Sequence, residues 1–308
     1  MKNIAITLLF LIVTSCGTDM DKPYSDTPTS GKVSVAADES MISMAGAQLD
    51  TFHSLYKYAK INMQYLAEDD LFRSLINDSV KVIMATRRLN SKEEAYFKSK
   101  NLMPATIKVA YDAIAVIVHP DNPDSLFTLN QIKSILNGTA SGWKDINPKS
   151  KLSNITFVFD QSGSSTFRYL RDTLRLTGDL PSWCFAAKSN KEVIEYVEKN
   201  SNSIGVIGVS WISDEDDSEV LGFLSRIKVA GLTAKENPLT DDYYKPYQGY
   251  IAEKSYPLIR EVYMINREGR TGLGTGFVSF VAGDQGQRII RLNGLLPATM
   301  PVRLIKTN

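Results

Sequence analysis

Val158-Phe159-Asp160-Gln161-Ser162-Gly163-Ser164-Ser165-Thr166-Phe167-Arg168-Tyr169-Leu170 decides how this chain is read. Ile155 to Phe159 alternates β-branched and aromatic residues as a strand does, and Phe167 to Leu176 is apolar at helical spacing. A small polar loop joins the two. The pattern predicts a strand feeding a helix through hydroxyls and one glycine. The free N–H groups of Ser164 to Phe167, with the hydroxyls of Ser162, Ser164, Ser165 and Thr166, then face one small volume beside the positive end of the helix dipole. Such a corner suits an anion. Ser164 also has a plainer reading as an N-cap, because hydroxyls lead that position for backbone reasons alone.

Two other corners repeat the arrangement. Lys32 to Ala37 reads as a buried strand, and Asp38-Glu39-Ser40 precedes an apolar-periodic segment from Met41 to Tyr58. Ser40 is a cap or a ligand contact, and Glu39 beside it would repel an anion unless it points away or accepts a ligand proton. Val80 to Ala85 is a further buried strand, ending in Thr86-Arg87-Arg88-Leu89. Thr86 offers a hydroxyl there, and Arg87 is the expected charge partner, since a guanidinium fork matches two oxygens of an oxyanion. Glu68 to Ile76 reads as a short helix, and Ser91 with Glu94 as a capping box for the next. Ile107 to Val118 is a long β-rich run interrupted by Asp112, expected to cross into a second lobe, and Tyr256 to Ile265 is the return. Ser189 with Glu192 caps a helix to Lys199, and Phe277 to Leu292 reads as the closing helix. Ligand-type residues fall at strand C-terminal ends in each half. This predicts an α/β fold of two doubly wound lobes with a ligand cleft between them.

A length of 308 residues fits two lobes of ordinary size. Lysines plus arginines number 35 against 34 aspartates plus glutamates, so no basic face is implied and a nucleic-acid partner is not expected. Lys2 and the apolar run Ile4 to Val13 form a signal-type n-region and h-region, ending in Val13-Thr14-Ser15-Cys16, which resembles the lipobox of bacterial lipoproteins. Cys16 is then the lipidated residue, the membrane is met through that anchor only, and the polar segment 17–30 is a flexible tether. Cys184, the other cysteine, reads as a small core residue, and His53 and His119 lack the spacing of metal ligands. The acidic cluster Ser213 to Glu219 reads as a solvated loop, because EF-hand spacing is missing. Gly272-Leu273-Gly274-Thr275-Gly276 has Phe277 where a nucleotide loop needs its third glycine, and reads as a helix lead-in. No metal or cofactor is expected.

The Asp-x-Ser-Gly-Ser loop resembles that of the periplasmic phosphate-binding proteins of Pst-type ABC transporters, members of the type 2 periplasmic-binding-protein superfamily. Further likeness lies in Phe127 to Thr139 with Trp143-Lys144-Asp145-Ile146, and in the ending Gly294-Leu295-Leu296-Pro297. The resemblance implies a monomeric, extracytoplasmic lipoprotein that captures phosphate for an ABC permease, and not an enzyme. Its ligand shell would be Ser40, Thr86, Arg87, Asp160, Ser162, Gly163, Ser164 and Ser165. It would divide the chain into residues 1–16 (signal), 17–30 (tether), 31–110 with 248–308 (lobe 1) and 111–247 (lobe 2). Asp160 matches the family aspartate that accepts a hydrogen bond from a protonated phosphate oxygen, and sulfate has no such proton near neutrality. The family arginine two residues before that aspartate is here Val158, so Arg87 or Arg168 must carry the charge, or the ligand differs. A same-fold binding or sensory module for another oxyanion or small acid is the second reading, and a serine hydrolase using Ser164 a remote third, lacking a G-x-S-x-G elbow.

Overall fold

The computed structural model describes residues 26–213 and 218–300. Strand and helix alternate first through β1 (Gly31–Asp38), α1 (Ile42–Leu55), β2 (Ala59–Leu66), α2 (Glu68–Ile76), β3 (Val82–Ala85) and α3 (Ser91–Ser99). β1 pairs in parallel with both β2 and β3, so each crossover lays a helix on the sheet and covers it. For that reason Val82 to Ala85 is apolar and buried at every position. Behind β1, Phe52 of α1 meets Phe277 and Phe280 edge-on, each pair of ring centres 5.3 Å apart.

β4 (Ala105–Val118) runs into the second half of the fold. There follow β5 (Leu126–Thr128), α4 (Leu129–Leu136), α5 (Trp143–Ile146), β6 (Thr156–Phe159), α6 (Ser165–Leu174), β7 (Cys184–Ala186), α7 (Asn190–Lys199) and β8 (Ser203–Gly208). α8 (Ser218–Leu224), β9 (Lys228–Val229), β10 (Gly231–Thr233) and α9 (Gln248–Ala252) precede the return strand β11 (Ile259–Asn266). α10 (Leu273–Ala282), α11 (Asp284–Leu292) and β12 (Leu296–Pro297) close the described fold. β6 is parallel to β7 and β8, repeating the first half's pattern.

The two α/β lobes are halves of one sheet, ordered β2-β1-β3-β11-β4-β8-β6-β7. β4 pairs with β11 from Ala105 to Ala113 and with β8 from Ile114 to Val118, so one strand serves both lobes. Arg260 stands opposite Asp112 in the β11–β4 register.

Several local expectations are corrected. The capping box of α3 is Asn90 with Glu93 rather than Ser91 with Glu94: Asn90 is extended and its Oδ1 accepts from Lys92 and Glu93 N–H, a geometry asparagine provides as well as serine. The closing helix is two helices. The chain breaks at Gly283 and folds back so tightly that a Cβ on Gly286 would lie 2.4 Å from the Phe280 carbonyl oxygen. Met41 to Tyr58 is a 3-10 turn over Glu39–Met41 followed by α1, which stops at Leu55. Residues 26–30 of the expected tether are packed on the fold: Asp26 accepts from the Leu273 N–H, and the Pro28 carbonyl lies against Gly276. Cys16, the signal segment and residues 17–25 lie outside the described residues, as do residues 214–217 of the acidic cluster.

Candidate functional site

Asp112 and Arg260 each interrupt an apolar strand, and the register places them side by side where the lobes join. Arg260 is 2% exposed and Asp112 fully buried, with Nε donating to Asp112 Oδ2 at 2.7 Å. Burial works against the guanidinium charge, yet Asp112, Asp38 and Asp160 outweigh it and raise the Arg260 pKa. The remaining fork reaches both lobes: Nη2 donates to Ser40 Oγ at 2.7 Å, and Nη1 to Ser165 Oγ at 2.9 Å. Both hydroxyls in turn donate to Asp38 Oδ1, at 2.6 and 2.8 Å, and the Ser40 N–H adds a third bond at 3.0 Å. Asp38 ends β1, Ser40 opens the turn into α1, and Ser165 is the first residue of α6. One guanidinium, two hydroxyls and two carboxylates thus meet between the lobes.

Beside this nest lies an acid pair. Ser164, the N-cap of α6, accepts from the Phe167 N–H and donates to Asp160. Asn190 of α7 divides its amide between Asp160 Oδ2, at 3.1 Å, and Glu39 Oε2, while its Oδ1 accepts from the Gly208 N–H at 3.0 Å. That last bond fixes the amide orientation, because only the NH2 can face two carboxyls. Burial pushes both acids up to about 7; the charges of Asp160 and Asp38 add to the effect at Glu39, and Asp38 does so at Asp160. Gly208 permits the close approach: a Cβ there would sit 3.0 Å from Ser40 and 3.2 Å from the Arg260 fork.

A third group bridges the rim. Glu68, at the start of α2, receives Arg168 Nε at 2.5 Å, Arg87 Nε at 3.0 Å and Thr86 Oγ1 at 3.3 Å. Arg87 spends its fork on Glu93, at 2.8 and 2.9 Å, and lies over the Phe72 ring. The Asp69 N–H donates to the Gly163 carbonyl at 3.3 Å. Gly163 has φ +80°, and Ser162 is exposed.

Of the residues expected in the ligand shell, Ser40, Asp160, Ser164 and Ser165 come together; Thr86 and Arg87 belong to the rim, tied to Glu68. The guanidinium in contact with Ser40 and Ser165 is Arg260, not Arg87. His53 accepts from the Ile61 N–H, and His119 from the Asp121 N–H.

The PBP superfamily domain matches residues 22–285. The chain belongs to the PBP superfamily. It is similar to the phosphate-binding protein PstS of Staphylococcus saprophyticus, 26% identical over 224 residues, covering 70% of this chain and 65% of that one. It thus spans slightly under two thirds of that relative. PstS of Staphylococcus aureus strain USA300 is 24% identical over 237 residues, covering 74% of this chain and 67% of that protein. Among solved structures, a substrate-binding protein of Clostridium perfringens with bound phosphate superposes with a TM-score of 0.73 at 21% identity, over 87% of this chain and all (100%) of that one. An ABC-type phosphate transport receptor of Vibrio cholerae gives 0.66 at 16% identity, over 87% of this chain and 100% of that one. These likenesses carry the two-lobed fold.

In this PBP-superfamily chain the residues that sequence reading passed over are Arg260, Asp112, Asp38 and Asn190. The first two carried a signal, since each puts a charge inside an apolar strand run. Asn190 carried none, because an asparagine following a helix cap is ordinary.

Proposed function

We propose that this protein is an extracytoplasmic solute-binding lipoprotein that captures inorganic phosphate between its lobes and presents it to an ABC permease. The observation that supports this best is Arg260, buried between Ser40 of one corner and Ser165 of another. A tetrahedral oxyanion needs fixed donors from opposite sides, and charge-assisted ones are the strongest. Asp38 and Asp160 add acceptors, which suit an anion that still carries a proton and disfavour sulfate. The names of the Staphylococcus relatives point the same way.

On this reading, residues 31–110 and 248–308 form one lobe and 111–247 the other, Cys16 carries the lipid, and the protein acts as a monomer. It is a binding protein rather than an enzyme: the Ser164 hydroxyl is given to Asp160, and the histidines are engaged elsewhere. A sensory or binding module for another oxyanion or small acid is the second reading. It is favoured by the nest's donors already meeting a carboxylate, that of Asp38.

Calorimetry on protein purified without phosphate, against phosphate, sulfate, molybdate and small carboxylates, separates the two. Phosphate should bind most tightly. Arg260→Lys should weaken it by roughly 10- to 100-fold, the worth of a charged hydrogen bond, and Arg87→Ala by less than about tenfold, because that fork is already spent. Asp160→Asn should relax the rejection of sulfate. Tighter binding of a carboxylate than of phosphate would sink the first reading in favour of the second.

A further inference from the structure

The nest holds more acid than base. Asp38, Asp112 and Asp160 gather about Arg260, and Glu39 joins Asp160 through the Asn190 amide. Of the neighbouring cations, Lys191 of α7 turns to Glu219, at 3.0 Å, and Arg168 of α6 is held by Glu68 and Asp172. Among the described residues, neither Glu39 nor Asp160 has an ion-pair partner; what they share is the neutral amide of Asn190. An anion entering here adds negative charge to a buried cluster whose one guanidinium is already paired. That is costly unless a positive charge comes with it.

We propose that Glu39 is a specificity-determining residue that makes anion capture conditional on a proton: Glu39, coupled to Asp160 through Asn190, takes a proton from solvent as the oxyanion enters. The proposal rests on the oxyanion reading above. A protonated carboxyl changes from acceptor to donor, so Glu39 supplies the bond to the ligand that an ionised acid cannot. Asp160 remains an acceptor for a proton on the ligand itself. The pair therefore sorts anions by protonation: phosphate brings one of the two protons required, whereas sulfate brings none and needs both acids neutral. Burial that lifts both acids to about 7 makes the exchange available near neutral pH. Asp38 from β1 and Asn190 from α7 face both acids, and Ser164 and Thr166 from α6 and Arg260 from β11 face Asp160. Only Arg260 among them carries positive charge.

The test uses the full chain and inorganic phosphate or sulfate, with calorimetry between pH 5.5 and 8.5 in buffers of differing ionisation enthalpy. Above about pH 8, where the free pair is largely ionised, the wild type should take up about one proton per phosphate, and affinity should fall about tenfold per pH unit. Sulfate should bind only toward the acid end. Phosphate has an ionisation of its own near neutrality, so Glu39→Gln isolates the protein's part: proton uptake should drop, and the affinity–pH slope should flatten. Should that substitution unfold the chain, the sulfate arm decides, since every proton taken up with sulfate belongs to the protein. Phosphate binding with an unchanged slope in Glu39→Gln, or sulfate affinity that is flat with pH, overturns the proposal and leaves phosphate capture standing. No anion binding at any pH overturns both.

Discussion

Arg260 shows what a single buried charge demands of its surroundings. Its three donor nitrogens are matched by Asp112, Ser165 and Ser40, while one oxygen each of Asp112 and Asp38 is buried without a hydrogen-bond partner. Removing one member of a buried pair leaves the other uncompensated. Arg260→Ala should therefore destabilise the fold by about 3–5 kcal/mol in urea unfolding, whereas Arg260→Met with Asp112→Leu should cost much less. A small loss in the single variant would mean that Asp112 is neutral in the fold. Both residues were visible as charges inside apolar runs, Asp112 in Ile107 to Val118 and Arg260 in Tyr256 to Ile265. Their meeting was not, because it depends on the antiparallel register of strands 148 residues apart.

At the scale of elements, the turn into α6 forms the expected cap but spends two of the N–H groups expected to be free, Ser164's on the Gln161 carbonyl and Phe167's on the Ser164 hydroxyl. Ser164 caps the helix, and Gly163 takes a left-handed φ of +80° to turn the strand end into it. That glycine also lies where the lobes touch: a Cβ would come within 2.7 Å of Asp69 Oδ2. Gly163→Ala should cost about 1–3 kcal/mol in thermal unfolding through backbone strain alone. It should also weaken ligand binding by holding α2 away from α6. An unchanged melting temperature would show that the loop adapts freely. The strand–loop–helix succession was legible because periodicity and hydroxyl placement are local. The capping residue of α3 was missed by one position, and the break at Gly283 altogether, since both turn on which backbone groups find partners after packing.

For the whole molecule, the raised acids of the cleft set the pH dependence of folding. Glu39 and Asp160 hold protons in the folded chain up to about 7, whereas the unfolded chain releases them near the ordinary carboxyl values. Between those limits the folded state binds more protons, so stability contributed by these groups is complete at low pH and is lost as pH rises through about 7. The ligand-free protein should have a lower urea midpoint at pH 8 than at pH 5.5. The difference should be on the order of 1–3 kcal/mol, and Glu39→Gln should remove part of it. A midpoint that rises over that range would refute the assignment. The amino-acid sequence by itself determined the alternation of strands and helices, two of the converging corners and the presence of one strand long enough to cross between lobes, because each follows from local spacing and hydrophobic period. Only the tertiary structure decided which arginine enters the cleft and which is spent on the rim. A guanidinium's free energy depends on the carboxylates and the water around it, and those are set by strand register and by how closely the lobes approach.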